Sequence, residues 1–190
     1  LMPTTNYDIR VRTNCDDGSN SAWLTGDFRT VCLSGGNVDI GDGTTTYSSI
    51  PVSNYYNYAI SEQLFTASEL GGSNTFSSIS FNCQNANATS RSWDIYLMPT
   101  TLTSLSGLVN IDNSAVKGFS GTASISSGWF TINFDSAFVY DGTTNLMLIV
   151  DDNTGSYSST NNYNCHSLTG ATSARIYSDG PDYDPYQATS

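Results

Sequence analysis

The one histidine of this chain, His166, directly follows Cys165, and together they are the nearest approach in the sequence to a nucleophile beside a base. A hydrolytic triad needs a nucleophile held within hydrogen-bond reach of its base. No G-x-S-x-G elbow and no cysteine-protease signature surrounds any serine or cysteine here. His166 therefore reads as a loop or strand residue beside a disulfide. Glycoside hydrolysis needs two facing carboxylates. The only glutamates are Glu62 and Glu69, both in a short helix-like stretch, and Asp94 and Asp135 lie on or near strands. Nothing in the sequence singles out a pair, and Asp17, Asp42, Asp141 and Asp179 each precede a glycine, as turn formers do. No catalytic residue is assigned, and the expectation is a chain that is not an enzyme.

Binding chemistry is better represented. Asp151-Asp152-Asn153 and Asp182-x-Asp184 offer clustered loop oxygens, and Ca²⁺ takes six to eight oxygen ligands. A structural Ca²⁺ at Asp151 and Asp152, or at Asp182 and Asp184, is the one cofactor expected. Neither segment has EF-hand spacing, and Asp and Asn also serve as turn residues. Aromatic residues gather in Tyr55-Tyr56-Asn57-Tyr58, with Tyr47 upstream and Tyr157 and Tyr163 downstream. Exposed aromatic faces beside amides and carboxylates suit sugars, whereas alternate tyrosines packed inward would serve the core. Tyr55, Tyr56 and Tyr58 are the candidate glycan contacts, and alternation sends one of Tyr55 and Tyr56 inward and the other outward. Asn87-Ala88-Thr89 is a glycosylation sequon centred on Asn87.

The four cysteines, Cys15, Cys32, Cys83 and Cys165, form no C-x-x-C pair, so a zinc site or thioredoxin-like motif has no support. An even count in a Lys-poor, Tyr-rich chain favours two disulfides in an oxidising compartment, with three pairings open. The net charge is −11, with six Lys plus Arg, and Lys117 is the only lysine. With no basic stripe, nucleic acid is a disfavoured partner. An anionic membrane surface would repel the chain, and no apolar run approaches the ~20 residues of a bilayer span. Charged residues make up only 12% of the chain, so its surface must be built from Ser, Thr, Asn, Tyr and Gly.

The elements that would position these groups are strands. Tyr7, Ile9 and Val11 alternate with Asp8, Arg10 and Arg12, and Ile79, Phe81 and Cys83 with Ser78, Ser80 and Asn82. Trp93, Ile95 and Leu97 alternate with Asp94 and Tyr96, and Phe130, Ile132 and Phe134 with Thr131 and Asn133. Residues 145–150 are apolar on both faces and read as a central strand, and Ala174 to Tyr177 as a further short one. Turn signals separate the runs, among them Asp17-Gly18, Gly71-Gly72 and Asp141-Gly142. Ser61 to Leu70 reads as the single helix-like segment. Many short strands with turn punctuation predict an all-β chain, an antiparallel sandwich.

Two resemblances refine this. Leu1-x-Pro3-x-Thr5-x-Tyr7-x-Ile9-x-Val11-Arg12, then Ser21-x-Trp23 and Phe28-x-Thr30, resembles the last two strands of a fibronectin type III domain, which implies a corner role for Tyr7. A hairpin pairing residues 6–14 with 23–31 would hold Cys15 and Cys32 ~25 Å apart, too far for a disulfide. Residues 33–190 resemble the jelly-roll, adhesin-like domains of secreted Bacteroidota surface proteins. The matching stretches are IGDGTTTYSSIPVSNYYNYAISEQLFTASELGG, TFSSISFN, SRSWDIYLM and FSGTASISSGWFTINFDSAFVYDGTTNLMLIVDDNTGSY. That resemblance implies export and a surface or adhesive role. The family's sorting domain and a closing strand after Tyr186 are missing, so the chain reads as cut from a larger polypeptide. Asp135-Ser136-Ala137 also resembles the O-glycosylation motif of such proteins, with Ser136 as acceptor.

The expectation is thus a fibronectin type III-like hairpin (1–32) followed by a jelly-roll-like β-sandwich (33–190). It would act as a non-enzymatic extracellular or cell-surface adhesion or structural module, partnered by other chains or domains of the same assembly and by glycans. Two alternatives stand beside it: a filament or sheath subunit assembling by strand complementation, and a carbohydrate-binding module of a secreted hydrolase.

Overall fold

The computed structural model describes residues 6–29, 37–43, 45–166, 168 and 170–188. The chain divides into two compact units, Leu1–Gly36 and Asn37–Ser190. The boundary expected after residue 32 falls within residues 30–36, outside the described residues.

The first unit is an antiparallel hairpin of β1 (Asn6–Val11) and β2 (Leu24–Arg29), in register from Asn6↔Arg29 to Val11↔Leu24. The Asp17-Gly18 turn forms as its residue types dictate. Asp17 Oδ1 accepts the Ser19 N–H at 2.9 Å and Gly18 takes φ 83°, where a glycine carries no Cβ penalty. Alternation gathers Ile9, Val11 and Leu24 on one side, and that side is open, with Leu24 76% exposed. The Arg12 guanidinium lies over the Trp23 ring, 4.7 Å from its centroid.

The second unit is a β-sandwich. Its strands are β3 (Thr45–Tyr47), β4 (Tyr58–Phe65), β5 (Asn74–Asn85), β6 (Ser90–Thr100), β7 (Val116–Ser124), β8 (Gly128–Tyr140), β9 (Asn145–Asp152), β10 (Asn162–Cys165) and β11 (Ser173–Ser178). A four-stranded sheet, β3-β10-β5-β8, faces a five-stranded one, β11-β4-β9-β6-β7, and the pairings are antiparallel. The fold is an all-β antiparallel sandwich, as the alternation predicts, and jelly-roll-like, as the resemblance of residues 33–190 implies. Between the sheets Trp93, Ile95, Leu148 and Val150 meet Phe130, Ile132 and Phe81. Trp93 is fully buried and edge-on to Phe81, with ring centroids 6.2 Å apart.

The double-sided apolar run in β9 has its physical counterpart. β9 is the middle strand of its sheet, and Met147 and Ile149 point away from the sandwich interior. There, with Ile60, Leu64, Tyr96 and Met98, they form a second apolar layer beneath Leu105, Ile111 and Ala188. Residues 101–115 and 183–188 therefore act as straps over the sheet. They are tied down by Leu105 N–H to Ala171 O at 2.7 Å and joined to each other by Ile111 N–H to Pro185 O at 3.1 Å.

The helix expected over Ser61 to Leu70 forms only in its second half, and the first half is strand. Tyr58–Phe65 is β4, and only Ala67–Leu70 is helical (α1), with a capping box between Thr66 and Glu69. β4 is buried on both faces, so Ser61 and Glu62 sit inside and the polar/apolar alternation that marks a half-exposed strand is erased.

Two carboxyls lie under the straps. Glu62 is 1% exposed, and its oxygens share one donor, the Val109 N–H, at 3.0 and 2.9 Å. Asp151 is 3% exposed, accepts from Asn153 Nδ2 at 3.2 Å through Oδ2, and leaves Oδ1 without a partner. Burial pushes the Glu62 carboxyl up to about 7. Burial does the same for Asp151, aided by Asp182 and Asp94, again to about 7. Both values rise on folding, so this stability is fully present below about pH 4 and is lost as pH rises through about 7. In urea titrations the Glu62→Gln/Asp151→Asn variant should match the native chain at low pH. At pH 8 it should exceed it, by on the order of 3 kcal/mol per site. A constant gap from pH 5 to pH 8 would show that the two carboxyls titrate normally.

Candidate binding site

One end of the sandwich is organised by Arg91. Alternation along Arg91-x-Trp93-x-Ile95 turns the guanidinium to the buried face, where Arg91 is 2% exposed. Its Nε donates to Asp152 Oδ2 at 2.8 Å, and its Nη2 lies 2.8 Å from the same oxygen. Nη1 donates to Ser156 O at 2.6 Å and Nη2 to Tyr56 O at 3.1 Å. One cation thus joins β6, β9 and the two loops that close this end, residues 48–57 and 153–161. Asp152 also accepts the Thr154 N–H at 3.1 Å, which shapes the turn out of β9.

The pinned loop carries the tyrosines. Gly155 N–H donates to Asn57 O at 3.0 Å and Ser158 N–H to Asn54 O at 2.8 Å. Asn57 donates through Nδ2 to Asp179 O at 2.9 Å, and its N–H reaches Asp179 Oδ1 at 3.3 Å. Held from three sides, Tyr56 stacks on Tyr177 with ring centroids 4.0 Å apart and planes 18° from parallel. Tyr55 meets Tyr56 edge-on, at 5.6 Å and 82°. Tyr55 is 61% exposed, and Tyr157, on the neighbouring loop, is 72% exposed. The expectation that Tyr55 and Tyr56 diverge is met in a turn rather than a strand: Tyr55 faces solvent and Tyr56 is half-buried. Tyr58 is also half-buried, and a Cβ at Gly155 would lie 3.3 Å from its hydroxyl, so it supports the loop from β4. What results is a rigid aromatic shelf flanked by an amide, Asn57, and a carboxylate, Asp179.

The expected cation ligands are only partly brought together. Asp151 and Asp152 belong to β9 itself, not to a loop, and adjacent strand residues point to opposite faces. Asp152 faces the interior and is taken by Arg91, while Asp151 faces the straps near Asp94 and Asp182. Asp184 caps the 3-10 turn Pro185–Gln187, accepting the Tyr186 N–H at 3.0 Å. Among the described residues, no group of three or more His, Cys, Asp or Glu is arranged to hold a metal ion.

The disulfide expectation also changes. Cys15, Cys83 and Cys165 are free thiols, and Cys32 lies outside the described residues. Cys83 is opposite Tyr163 in the ladder, which leaves Cys165 on the diagonal, two residues further along β10. Diagonal neighbours stand about 7–8 Å apart, beyond bridging range. Burial raises both the Cys83 and the Cys165 thiols above their ordinary value, which disfavours the thiolate.

Of the remaining positions, His166 Nδ1 pairs with Asp42 Oδ1 at 2.9 Å near the surface. Asn87 is exposed but donates its Nδ2 to Thr160 O at 2.7 Å, within a loop that the buried Asn161 holds. Ser136 is exposed on β8. Sequence reasoning missed Arg91, Tyr177 and Asp179 as parts of one site. The usable signal was Arg91 itself, a cation on the apolar phase of a strand in a chain with few cations.

Removing one partner of a buried ion pair costs about 3–5 kcal/mol, because the other charge is left uncompensated. Arg91→Met should lower the unfolding free energy by about that amount. The double variant Arg91→Met/Asp152→Leu should recover most of it, as read by chemical denaturation. Equal losses in the single and double variants would show that Arg91 acts only through the Tyr56 and Ser156 carbonyls.

Searches of protein-family models, curated proteins and solved structures find no match to this chain, so its functional reading stands on the geometry above.

Proposed function

We propose that this chain is a non-enzymatic adhesion module of an extracellular or cell-surface protein, and that it holds a glycan on the tyrosine shelf. The carrying observation is the Tyr56–Tyr177 stack with Tyr55 edge-on and exposed, on a backbone pinned from inside by Arg91. Aromatic rings offer a large apolar face at little cost in conformational entropy, and a preformed shelf loses less freedom on binding. Asn57 and Asp179 supply hydrogen-bonding groups beside the rings. A surface solvated by hydroxyls and amides agrees with an extracellular setting.

A second reading, assembly into a filament or sheath, rests on the first unit. A lone two-stranded hairpin is marginal in water, and this one leaves Ile9, Val11 and Leu24 exposed on one face. Such a face, together with open sheet edges, invites a neighbouring chain.

A glycan array probed with the folded chain tests the first reading. Binding should appear and should be lost, or weakened about tenfold, in Tyr55→Ala and Tyr177→Ala. A silent array, or binding untouched by both substitutions, overturns it. Light scattering at micromolar concentration tests the second, since a sharp monomer peak would exclude assembly.

A further inference from the structure

The outer face of the four-stranded sheet carries an exposed tryptophan among uncharged polar side chains. On β8, Phe130 and Ile132 point inward and are buried, so Trp129, Thr131 and Asn133 point outward. They stand in register with Asn82, Ser80 and Ser78 of β5. Next in the sheet order after β5 is β10, whose Asn164 is paired with Thr46 of β3. A row is therefore built of two paired steps on one sheet, Trp129 with Asn82 and Asn164 with Thr46. Strands are about 4.8 Å apart, comparable to the length of one sugar ring.

Trp129 is 66% exposed, and no ring or cation stacks on it among the described residues. Its surroundings are amides and hydroxyls, such as the Ser80–Thr131 hydroxyl pair at 2.8 Å. Beside them a groove of about 240 Å³ runs between β7 and β8, lined in part by Thr122, Ser124, Thr131 and Asn133. Between Thr46 and Trp129 the row has no charged side chain. The next carboxylate along β8, Asp135, is turned to the Ser120 N–H at 3.0 Å.

We propose that this face is a second binding surface, that its ligand is an uncharged polysaccharide, and that Trp129 is the stacking platform. The choice of ligand follows from the chemistry. A protein partner's anchor would meet further apolar or charged groups around the indole, and here it meets only amides and hydroxyls. Those groups donate to and accept from sugar hydroxyls, while the indole covers the C–H face of a ring. An anionic polysaccharide would find no cation among Trp129, Asn82, Asn164 and Thr46, and a chain of net charge −11 behind them. A cationic one would find no carboxylate among Trp129, Asn82, Asn164 and Thr46. The site is separate from the tyrosine shelf and stands whether or not the shelf binds sugar.

Native affinity electrophoresis of the full chain tests this, with soluble xylan, mixed-linkage β-glucan, laminarin or galactomannan in the gel, and alginate as the anionic control. At least one uncharged polysaccharide should retard the chain. Trp129→Ala should weaken that retardation about tenfold and Trp129→Tyr should retain most of it. In a Tyr55→Ala background, with the shelf disabled, the same dependence on Trp129 should remain. Because Trp129 is exposed, Trp129→Ala should melt with the native chain. Retardation by alginate alone, by none of the four, or equally in Trp129→Ala overturns the proposal. Retardation lost in Tyr55→Ala but kept in Trp129→Ala assigns the sugar to the tyrosine shelf and also overturns it.

Discussion

The end of the sandwich that carries the tyrosines depends on a single buried ion pair. Taking Arg91 and Asp152 out of water is expensive, and the attraction between them offsets that cost only when the remaining donors and acceptors are also satisfied. Here they are. Arg91 spends its donors on one carboxylate and two loop carbonyls, and Asp152 accepts from Thr154 as well. The two carbonyls belong to Ser156 and Tyr56, so the charges that close the interior also fix both loops on the outside. A hydrophobic pair of equal volume would fill the space, but it would offer no donors to those loops.

The opposite face of the same sheet solves a different problem. A central strand as apolar as β9 must be covered on both sides, and the described residues of the second unit form only the two sheets of the sandwich. Irregular straps do so instead, and their backbone groups need partners of their own. Glu62 provides one by accepting the Val109 N–H. An acid beneath a strap thus satisfies the strap's backbone, a bond that favours its charged form while burial opposes it more strongly. Asp151 has no such return: it is crowded by Asp94 and Asp182, and one of its oxygens is unpaired.

The two aromatic surfaces follow from the same scarcity of charge. A chain with 12% charged residues must keep its surface wet through hydroxyls and amides. An aromatic ring placed among such groups is chemically matched to carbohydrate rather than to a charged macromolecule. The tyrosine shelf is built on loops stiffened from below, whereas Trp129 projects from a strand whose position the ladder sets. Both arrangements remove motion that a ligand would otherwise have to suppress.

Several elements were legible in the sequence because a local pattern specifies them. Period-2 alternation marked β1, β5, β6 and β8, the short run Ala174 to Tyr177 marked β11, the two-faced apolar run marked β9 as central, and Asp17-Gly18 and Asp141-Gly142 marked turns. β4 was not legible, since burial on both faces removes alternation. The short β3 and β10 carry too few residues for a pattern. Of the binding site, the tyrosines and Asp151 were visible as residue types, but their grouping was not. Tyr56 meets Tyr177 across 121 positions of chain, and Arg91 reaches Asp152 across 61. Whether Asp151 and Asp152 share a site depends on which face each takes in a paired strand. Composition and alternation determined that this chain is a charge-poor β-sandwich with an amide and hydroxyl surface. Only the tertiary structure decided which tyrosines stack, which carboxyls are buried and which tryptophan faces water, because strand pairing brings together residues that no local pattern relates.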